Sequence, residues 1–273
     1  MRSNPLLLFI VIGLMLAPRL AAQGRPSAEG WSYAAGAAML WAPAFPGSDD
    51  YQLMVVPSIR ASYGDTFFAS VEQGIGYNAV NESGWVAGPL LRFDFGREAS
   101  GKNPFRVVGK RSQGLRGFED VDFTFQGGFF VGHEASPWVA RLELLQGING
   151  HEALTGDLSL DFRTVLPGRQ PGPPVIVSTG PRLRWADADY TDAYFGVSPR
   201  ASALTGLPVY RPEGGLVSLG WGLTVVKPLR DRWALLVLAG YNRLMADAAD
   251  SPLVRERGSR HQLITGLVLS RAF

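Results

Sequence analysis

The sequence contains no cysteine among its 273 residues. The chain therefore has no disulfide, which excludes the small disulfide-stapled secreted domains. It also has no cysteine to carry a lipid at the amino terminus of a mature lipoprotein. Any anchoring in a membrane must come from the fold of the polypeptide.

A long apolar run is also absent after the first segment of the chain. Residues 6–16 form an apolar run behind Arg2, and small residues follow it as far as Ala22. This run is too short for a transmembrane helix and is typical of a cleaved signal peptide. We therefore predict a signal peptide at 1–22 and one domain at 23–273. If that domain spans a membrane, it must be a closed barrel, because only a helix or a barrel satisfies every backbone polar group in lipid.

The predicted mature chain has no excess of either positive or negative charge. The full sequence has 26 basic and 24 acidic residues, and removal of residues 1–22 takes away only Arg2 and Arg19 among them. Equal numbers of the two signs give no basic surface for a nucleic acid by composition alone. We expect no nucleic-acid partner.

The stretch from Gln262 to Phe273 shows most clearly what is present. Apolar residues such as Leu263, Leu267 and Leu269 alternate with small or polar residues such as Gly266. A period of two indicates a β-strand. One apolar and one small or polar face suit a wall between lipid and a lumen, and a final aromatic residue is typical of bacterial outer-membrane barrels. Phe273 is therefore the predicted assembly signal, read by the barrel assembly machinery.

The same alternation recurs in segments of about ten residues that are separated by Gly, Pro, Asn or Asp. With the last strand, the segments are Trp31–Trp41, Leu53–Tyr63, Phe67–Tyr77, Trp85–Gly96, Asp120–Gly132, Trp138–Leu145, Leu154–Leu166, Val175–Ala186, Thr191–Val197, Gly215–Val226, Trp233–Leu244 and Gln262–Phe273. About twelve segments predict an all-β fold, a single antiparallel up-and-down transmembrane barrel with both termini on the same side.

The alternative to a membrane barrel is a soluble β-sandwich or barrel, in which the apolar face would form the core. The Gly- and Ala-rich opposite face and the terminal Phe273 favour the membrane barrel. Aromatic residues near the segment ends also fit two girdles at the membrane interfaces. We therefore expect the bacterial outer membrane, with its lipid around the barrel.

Charged residues on the face opposite the lipid would line the lumen. They are Arg60, Glu72, Arg92, Asp94, Asp120, Asp122, Arg141, Glu143, Asp157, Asp161, Arg163, Arg182 and Arg184. Ion-selective pores usually carry rings of one sign, whereas charges of mixed sign can pair across a narrow lumen. We expect a narrow or filled lumen, and a hydrated interior is the alternative.

The strand count assigns each connection to a side if the amino terminus lies in the periplasm. Turns at 64–65, 187–189 and 228–231 are then periplasmic, and segments 42–52, 167–174, 198–214 and 245–260 are outer loops. Residues 97–119 are predicted to form an unusually long, basic periplasmic loop. Its candidate contacts for a periplasmic partner are Lys102, Arg106, Lys110 and Arg111. A solvated linker is the alternative.

The sequence offers little sign of catalysis or of a cofactor. His133, His151 and His261 fall at or beside predicted turns, and none belongs to a His-Glu-x-x-His zinc motif. A Gly-x-Ser-x-Gly elbow and a phosphate-binding glycine loop are also absent. We expect a non-enzymatic protein without a metal or cofactor, although a Ser/His arrangement assembled across loops stays open.

Five stretches resemble the MipA/OmpV family of outer-membrane proteins, named for the MltA-interacting protein. The stretches are Ala42–Tyr51, Gly117–Asp122, Tyr194–Ser198, Leu207–Tyr210 followed by Gly214–Leu216, and Ala246–Val254. The resemblance covers essentially the whole mature chain. Three residues depart from the family pattern: Phe45 replaces an expected Tyr, Ala246 an expected Gly, and Arg271 an expected aromatic residue.

This resemblance implies a scaffold that bridges a murein lytic transglycosylase and a bifunctional penicillin-binding protein in peptidoglycan growth. The basic loop at 97–119 favours that role. A surface adhesin or antigen, or a narrow small-solute channel, is the alternative that the large polar loops at 198–214 and 245–260 favour.

Overall fold

The structure of the protein is a computed structural model that describes residues 30–109, 111–168 and 172–273. The predicted signal peptide at 1–22 and Lys110 lie outside the described residues. Among the described residues, no helix is both long and apolar enough to cross a membrane.

Strands make up most of the described chain, and four short helices accompany them. The strands are β1 (Trp31–Pro43), β2 (Tyr51–Tyr63), β3 (Phe67–Ser70), β4 (Gly74–Tyr77), β5 (Val80–Glu82), β6 (Trp85–Asp94), β7 (Arg106–Val108), β8 (Thr124–Ala135), β9 (Trp138–Gly147), β10 (Leu154–Leu166), β11 (Val175–Ala186), β12 (Gly215–Pro228), β13 (Trp233–Leu244) and β14 (His261–Ala272). The helices are α1 (Ala188–Phe195), α2 (Pro199–Thr205), α3 (Ala246–Asp250) and α4 (Pro252–Arg257).

Twelve of these strands form a closed antiparallel ring. The order around the ring is β1, β14, β13, β12, β11, β10, β9, β8, β6, β4, β3 and β2, and pairing of β1 with β2 closes it. The short strand β5 pairs with β6, and β7 pairs with β2 beyond the end of β3. The predicted all-β, single-barrel fold is confirmed.

The alternation of residues divides each strand between the outside and the lumen. In β14, Leu263, Leu267 and Leu269 are exposed, whereas Gln262 and Gly266 are buried. Exposed apolar side chains on the outside of a closed barrel form the surface that lipid covers. Exposed aromatic residues lie near both rims, including Trp31, Tyr63, Trp85, Trp138 and Trp233 at one end and Trp41, Phe125, Trp185 and Tyr241 at the other.

Two strand predictions are wrong, and their errors cancel in the count. The segment Phe67–Tyr77 is two strands, β3 and β4, joined by a turn that ends at Gly74 with φ of +81°. The segment Thr191–Val197 lies mostly in α1, because Asp187 caps this helix by accepting a hydrogen bond from the Tyr190 backbone N–H. One strand is gained and one is lost, so the total of twelve survives.

The same two errors reverse the direction of every predicted strand between residues 74 and 187. We call the end of the barrel that holds Gly30 and Phe273 the terminus end, and the opposite end the cap end. Residues 97–119 without Lys110 lie at the cap end, since Arg97 bonds to the carbonyl of Tyr194 in α1. The prediction that this loop shares a side with the termini is therefore wrong for the residues that the structure describes. Residues 167, 168 and 172–174 lie at the terminus end and 187–189 at the cap end, again opposite to the prediction.

Five connections at the cap end fold together into a cap over the lumen. The cap consists of residues 44–50, 95–123 without Lys110, 148–153, 187–214 and 245–260. One buried apolar cluster draws Phe45, Leu115, Phe118, Val197 and Leu253 from four of these segments. A second cluster packs α1 and α3 onto the ends of β12 and β13. The connections at the terminus end include the short turns at residues 64–66, 136–137 and 229–232.

Candidate functional site

Ion pairs line the lumen along the wall formed by β6, β9, β10 and β11. Glu143, which is 2% exposed, accepts from Arg141 Nε at 2.7 Å and lies 3.2 Å from Arg92 Nη1. One buried carboxylate therefore faces two guanidinium groups. A buried carboxylate is stabilised in this way because the guanidinium donors replace the water that it has lost.

The next strands continue the same pattern. Asp157 lies directly opposite Arg184 in the register of β10 and β11, and the pair is bidentate at 2.8 and 3.0 Å. Arg182 Nη2 donates to Asp161 Oδ1 at 2.7 Å. Its guanidinium also lies over Gly222 of β12, where an added Cβ would meet it at 3.0 Å. Because Gly222 has no side chain, it leaves room for the Arg182 guanidinium.

The other charges that the sequence assigned to the lumen have mixed positions. Arg60 is half-buried, Glu72 accepts from the Ser58 hydroxyl at 2.7 Å, and Arg163 lies 3.5 Å from Glu134. Asp120 and Asp122 are exposed in the cap, because β8 begins only at Thr124. The structure does not place these two aspartates in the lumen.

Large side chains occupy much of the space between the charged wall and the opposite wall, except for a cavity beneath the cap. Phe130 and Leu145 are fully buried on one side, and Met54 and Val226 are fully buried on the other. An apolar cluster from β1, β2, β13 and β14 completes the second side. The lumen is therefore a packed interior with one polar wall.

A polar cluster that the sequence did not reveal joins the lumen to the cap. Asp94, at the end of β6, accepts from the Tyr194 hydroxyl at 2.7 Å and from the Gly96 N–H at 2.9 Å. His151 Nε2 lies 3.4 Å from the second oxygen of Asp94. The Ala153 N–H donates to His151 Nδ1, so the ring proton lies on Nε2, the nitrogen nearer to Asp94, although these two atoms form no hydrogen bond.

The two tyrosines of α1 stay protonated in this cluster. Burial raises the pKa of Tyr190 to about 12, and the carboxylates of Asp94 and Asp157 add to the rise while Arg184 opposes it. Burial and the carboxylate of Asp94 hold the pKa of Tyr194 well above its ordinary value. Tyr194 therefore remains a hydrogen-bond donor to Asp94 at neutral and mildly alkaline pH.

Arg97 holds the other end of α1. Its two terminal nitrogens donate to the carbonyls of Tyr194 at 2.6 Å and Ala193 at 3.1 Å, and its guanidinium lies 5.7 Å from the centroid of the Tyr194 ring. Cations are favourable at the carboxyl end of a helix, where carbonyls lack partners. Burial lowers the pKa of Arg97 to about 10, which leaves the side chain charged at neutral pH. Arg97 is thus part of the packed cap, although the sequence placed it in a basic periplasmic loop.

The cluster has limited chemical capacity as a catalytic site. The His151 side chain is 0% exposed, and its Nδ1 already accepts a backbone hydrogen bond. A histidine that serves as a general base needs a free nitrogen within reach of its nucleophile. Among the described residues, no group of three or more His, Asp or Glu side chains is arranged to hold a metal ion.

Sequence comparison connects the barrel to a known family. Residues 35–273 match the family described as MltA-interacting protein MipA. Outer membrane protein OmpV of Vibrio cholerae is 32% identical over 91 residues, which are 33% of this chain and 34% of OmpV. The putative outer membrane protein YiaT of Escherichia coli K12 is 27% identical over 128 residues, 47% of this chain and 48% of YiaT. The chain thus spans between a third and a half of the length of these relatives.

Solved structures are similar to this chain at low sequence identity. A bacterial polysaccharide outer membrane secretin is 9% identical, with a TM-score of 0.41, over 90% of this chain and 99% of that chain. OprD of Pseudomonas aeruginosa is 11% identical, with a TM-score of 0.33, over 90% of this chain and 66% of that chain. The family match extends from the middle of β1 to Phe273 and includes the cap, the ion-paired wall and the closing strand. The chain is an outer-membrane β-barrel protein and belongs to the MltA-interacting protein MipA family.

Proposed function

We propose that this protein is a non-enzymatic outer-membrane scaffold that binds its partners at a rim of the barrel. The observation that carries this proposal is the packed lumen beneath a packed cap. Buried ion pairs such as Arg92–Glu143 and buried apolar side chains such as Phe130 occupy the interior. A barrel with this interior has no wide path for solutes, which argues against the alternative of a small-solute channel. Its working surfaces are then its two rims.

The terminus end is the rim that faces the periplasm in this proposal. Bacterial outer-membrane barrels have short periplasmic turns and longer extracellular loops. Here the connections at the terminus end, such as 64–66 and 229–232, are short, and the long segments 95–123 and 187–214 are in the cap. The described part of the loop at 97–119 then faces outwards, so the candidate contacts Lys102, Arg106 and Arg111 are poorly placed for a murein enzyme.

The terminus end offers a different basic surface. Lys227, Arg230, Arg232 and Arg271 are all exposed there, and we call them the basic corner. They lie together because Arg271 is opposite Trp233 in the β13–β14 register, and the Ala272 N–H donates to the Arg232 carbonyl at 3.0 Å. Asp231 is the one acidic residue within this turn. A cluster of positive charge attracts an acidic protein surface or an anionic polymer.

The partners follow from the family. Its name describes interaction with MltA, a murein lytic transglycosylase, and the family resemblance adds a penicillin-binding protein. Both enzymes would work on peptidoglycan in the periplasm, next to the basic corner. The cap surface carries exposed charges of both signs, so no patch there specifically favours adhesion.

Two charge-matched variants test this proposal. In the first, Lys227, Arg230, Arg232 and Arg271 are changed to Ser. In the second, Lys102, Arg106, Lys110 and Arg111 are changed to Ser. Heat-modifiable mobility on a gel checks that each barrel has folded. We expect the first variant to retain much less lytic transglycosylase in a pulldown, and the second to retain as much as the unmodified protein. Loss only in the second variant would contradict the proposed surface, and full retention in both would contradict an electrostatic scaffold.

A further inference from the structure

A cavity of about 150 Å³ lies directly beneath the cap. Phe45, Arg97, Tyr190 and Tyr194 line it from the cap. Residues of β10 and β11 line it from the charged wall, and residues of β12, β13 and β14 line it from the apolar wall. The cavity therefore has a polar side, an apolar side and an aromatic roof.

The arginines around this cavity differ in how they are paired. Three arginines, Arg97, Arg182 and Arg184, and one carboxylate, Asp157, line it. Arg184 pairs with Asp157, and Arg182 pairs with Asp161. Arg97 belongs to none of the ion pairs within the described part of the chain, and Glu119 and Asp120 act on it only from beyond ion-pair distance. It is only 4% exposed, and its Nε is a buried donor without a hydrogen-bond partner among those residues. Arg97 is therefore the lining arginine that no carboxylate contacts among the described residues.

The apolar side of the cavity has room for a ligand. Leu238, Leu244 and Ile264 are buried side chains that line it. Gly240, on the same face of β13, lies between them in sequence, and a Cβ added there would meet nothing nearer than the Trp221 carbonyl oxygen at 4.0 Å. A cavity of about this volume, lined by apolar side chains, is large enough for benzene.

We propose that this cavity binds a small amphipathic monocarboxylate, which has one carboxylate and an apolar body about the size of a benzene ring. The carboxylate lies beside Arg97 and accepts the free Nε–H, since charge-assisted bonds between guanidinium and carboxylate are strong. The apolar body packs against Leu238 and Ile264 in the space left by Gly240. One arginine without a contacting carboxylate favours a monoanion over a dianion. This binding site is independent of the partner surface at the terminus end.

The probe for this site is 4-fluorobenzoate, observed by fluorine NMR with the refolded full barrel in detergent micelles. The neutral isostere 4-fluorobenzamide measures the contribution of the charge. We expect saturable binding of the carboxylate and at least tenfold weaker binding of the amide. Equal affinity for both probes would overturn the role of Arg97, and the absence of saturable binding by the carboxylate would overturn the site.

Two substitutions in β13 distinguish binding of the probe in the cavity from binding of the probe to the detergent micelle. Gly240→Leu fills the cavity and replaces no charged residue, whereas Val237→Leu enlarges a side chain that is exposed on the outward face of the same strand and does not line the cavity. We expect Gly240→Leu to abolish saturable binding and Val237→Leu to leave it unchanged. Undiminished binding by Gly240→Leu would show that the probe binds elsewhere and would overturn the proposal.

The charge is tested by Arg97→Gln with Arg97→Lys as its matched control. We expect Arg97→Gln to weaken binding at least tenfold and Arg97→Lys to recover part of the affinity. Since Arg97 also caps α1, heat-modifiable mobility must show that both variants fold. If they do not fold, the Gly240→Leu comparison still decides between the proposal and its rejection.

Discussion

The Tyr194 hydroxyl donates a 2.7 Å hydrogen bond to a carboxylate oxygen of Asp94, and so joins the cap to the barrel wall. Asp94 is the last residue of β6, and Tyr194 lies 100 residues later in α1. Asp94 is 1% exposed, so its carboxylate depends on such donors to replace water. Closure of the lumen at the cap end thus depends on a bond between two elements that are far apart in the chain.

Tyr194→Phe should loosen the cap while the barrel stays folded. The substitution removes one donor from a buried carboxylate, which costs about 1.5–3 kcal/mol for a hydrogen bond to a charged group. We expect faster amide hydrogen exchange in α1 and in residues 95–99, with unchanged heat-modifiable mobility. Tyr33→Phe, on the exposed outer face near the terminus end, is the matched control. Unchanged exchange in α1 would contradict the role assigned to this bond.

Ala246→Gly should stabilise the cap. Ala246 has a φ of +43°, in the left-handed region that favours glycine. The left-handed conformation costs an L-residue about 1–2 kcal/mol. Glycine also has greater conformational freedom in the unfolded chain, which offsets part of this stabilisation. The substitution therefore raises the free energy of unfolding by up to about 1 kcal/mol. Slower hydrogen exchange in residues 246–257 would support this expectation, and faster exchange would contradict it.

Tyr190 gives the cap a predictable response to alkaline pH. Its pKa is raised from the ordinary value of 10.0 to about 12, chiefly by burial. Between these values the folded protein holds a proton that the unfolded chain has lost, so stability is constant below about pH 10 and falls as the pH rises towards about 12. We expect a late tyrosinate absorbance step near pH 12 that Tyr190→Phe removes. Tyr33→Phe should leave this late step in place, and a spectrum in which Tyr190→Phe removes an early step would contradict the account.

Deletion of Phe273 should impair assembly of the barrel in the outer membrane. Phe273 is exposed beyond the end of β14, and its N–H donates to the Tyr33 carbonyl of β1 at 2.9 Å, at the seam that closes the ring. An aromatic residue at the end of the closing strand is the assembly signal that the sequence predicts. Phe273→Tyr is the control because it keeps the ring. A normal yield of heat-modifiable barrel after the deletion would argue against this role.

The alternation of apolar and polar residues was enough to predict the barrel. It correctly assigned Leu263 and Leu267 to the outside and Gln262 to the inside, because a strand in a closed barrel has only these two faces. It also placed Arg182, Arg184 and Asp157 on the inner face, but it wrongly added Asp120 and Asp122, which precede β8. The pairing of Arg184 with Asp157 depends on the register of β10 and β11, which the alternation does not contain.

The cap could not be predicted from the same pattern. Alternation continues across the turn before Gly74, so two short strands were interpreted as one, and every later side assignment as far as α1 was reversed. Helix α1 has a recognisable signal in its cap residue Asp187 and in Tyr190 and Tyr194, which are spaced by one helical turn. The contact between Arg97 and α1 joins two segments that are far apart in the chain. A local sequence pattern does not predict such a contact.

Single-channel conductance of the refolded barrel in a planar bilayer tests the central claim, a lumen closed by its own side chains and by the cap. An open porin reconstituted in the same way is the positive control. The packed interior predicts that the unmodified protein inserts without steady conductance. A large, steady conductance would contradict the closed lumen and would move the function from the rims of the barrel to its interior.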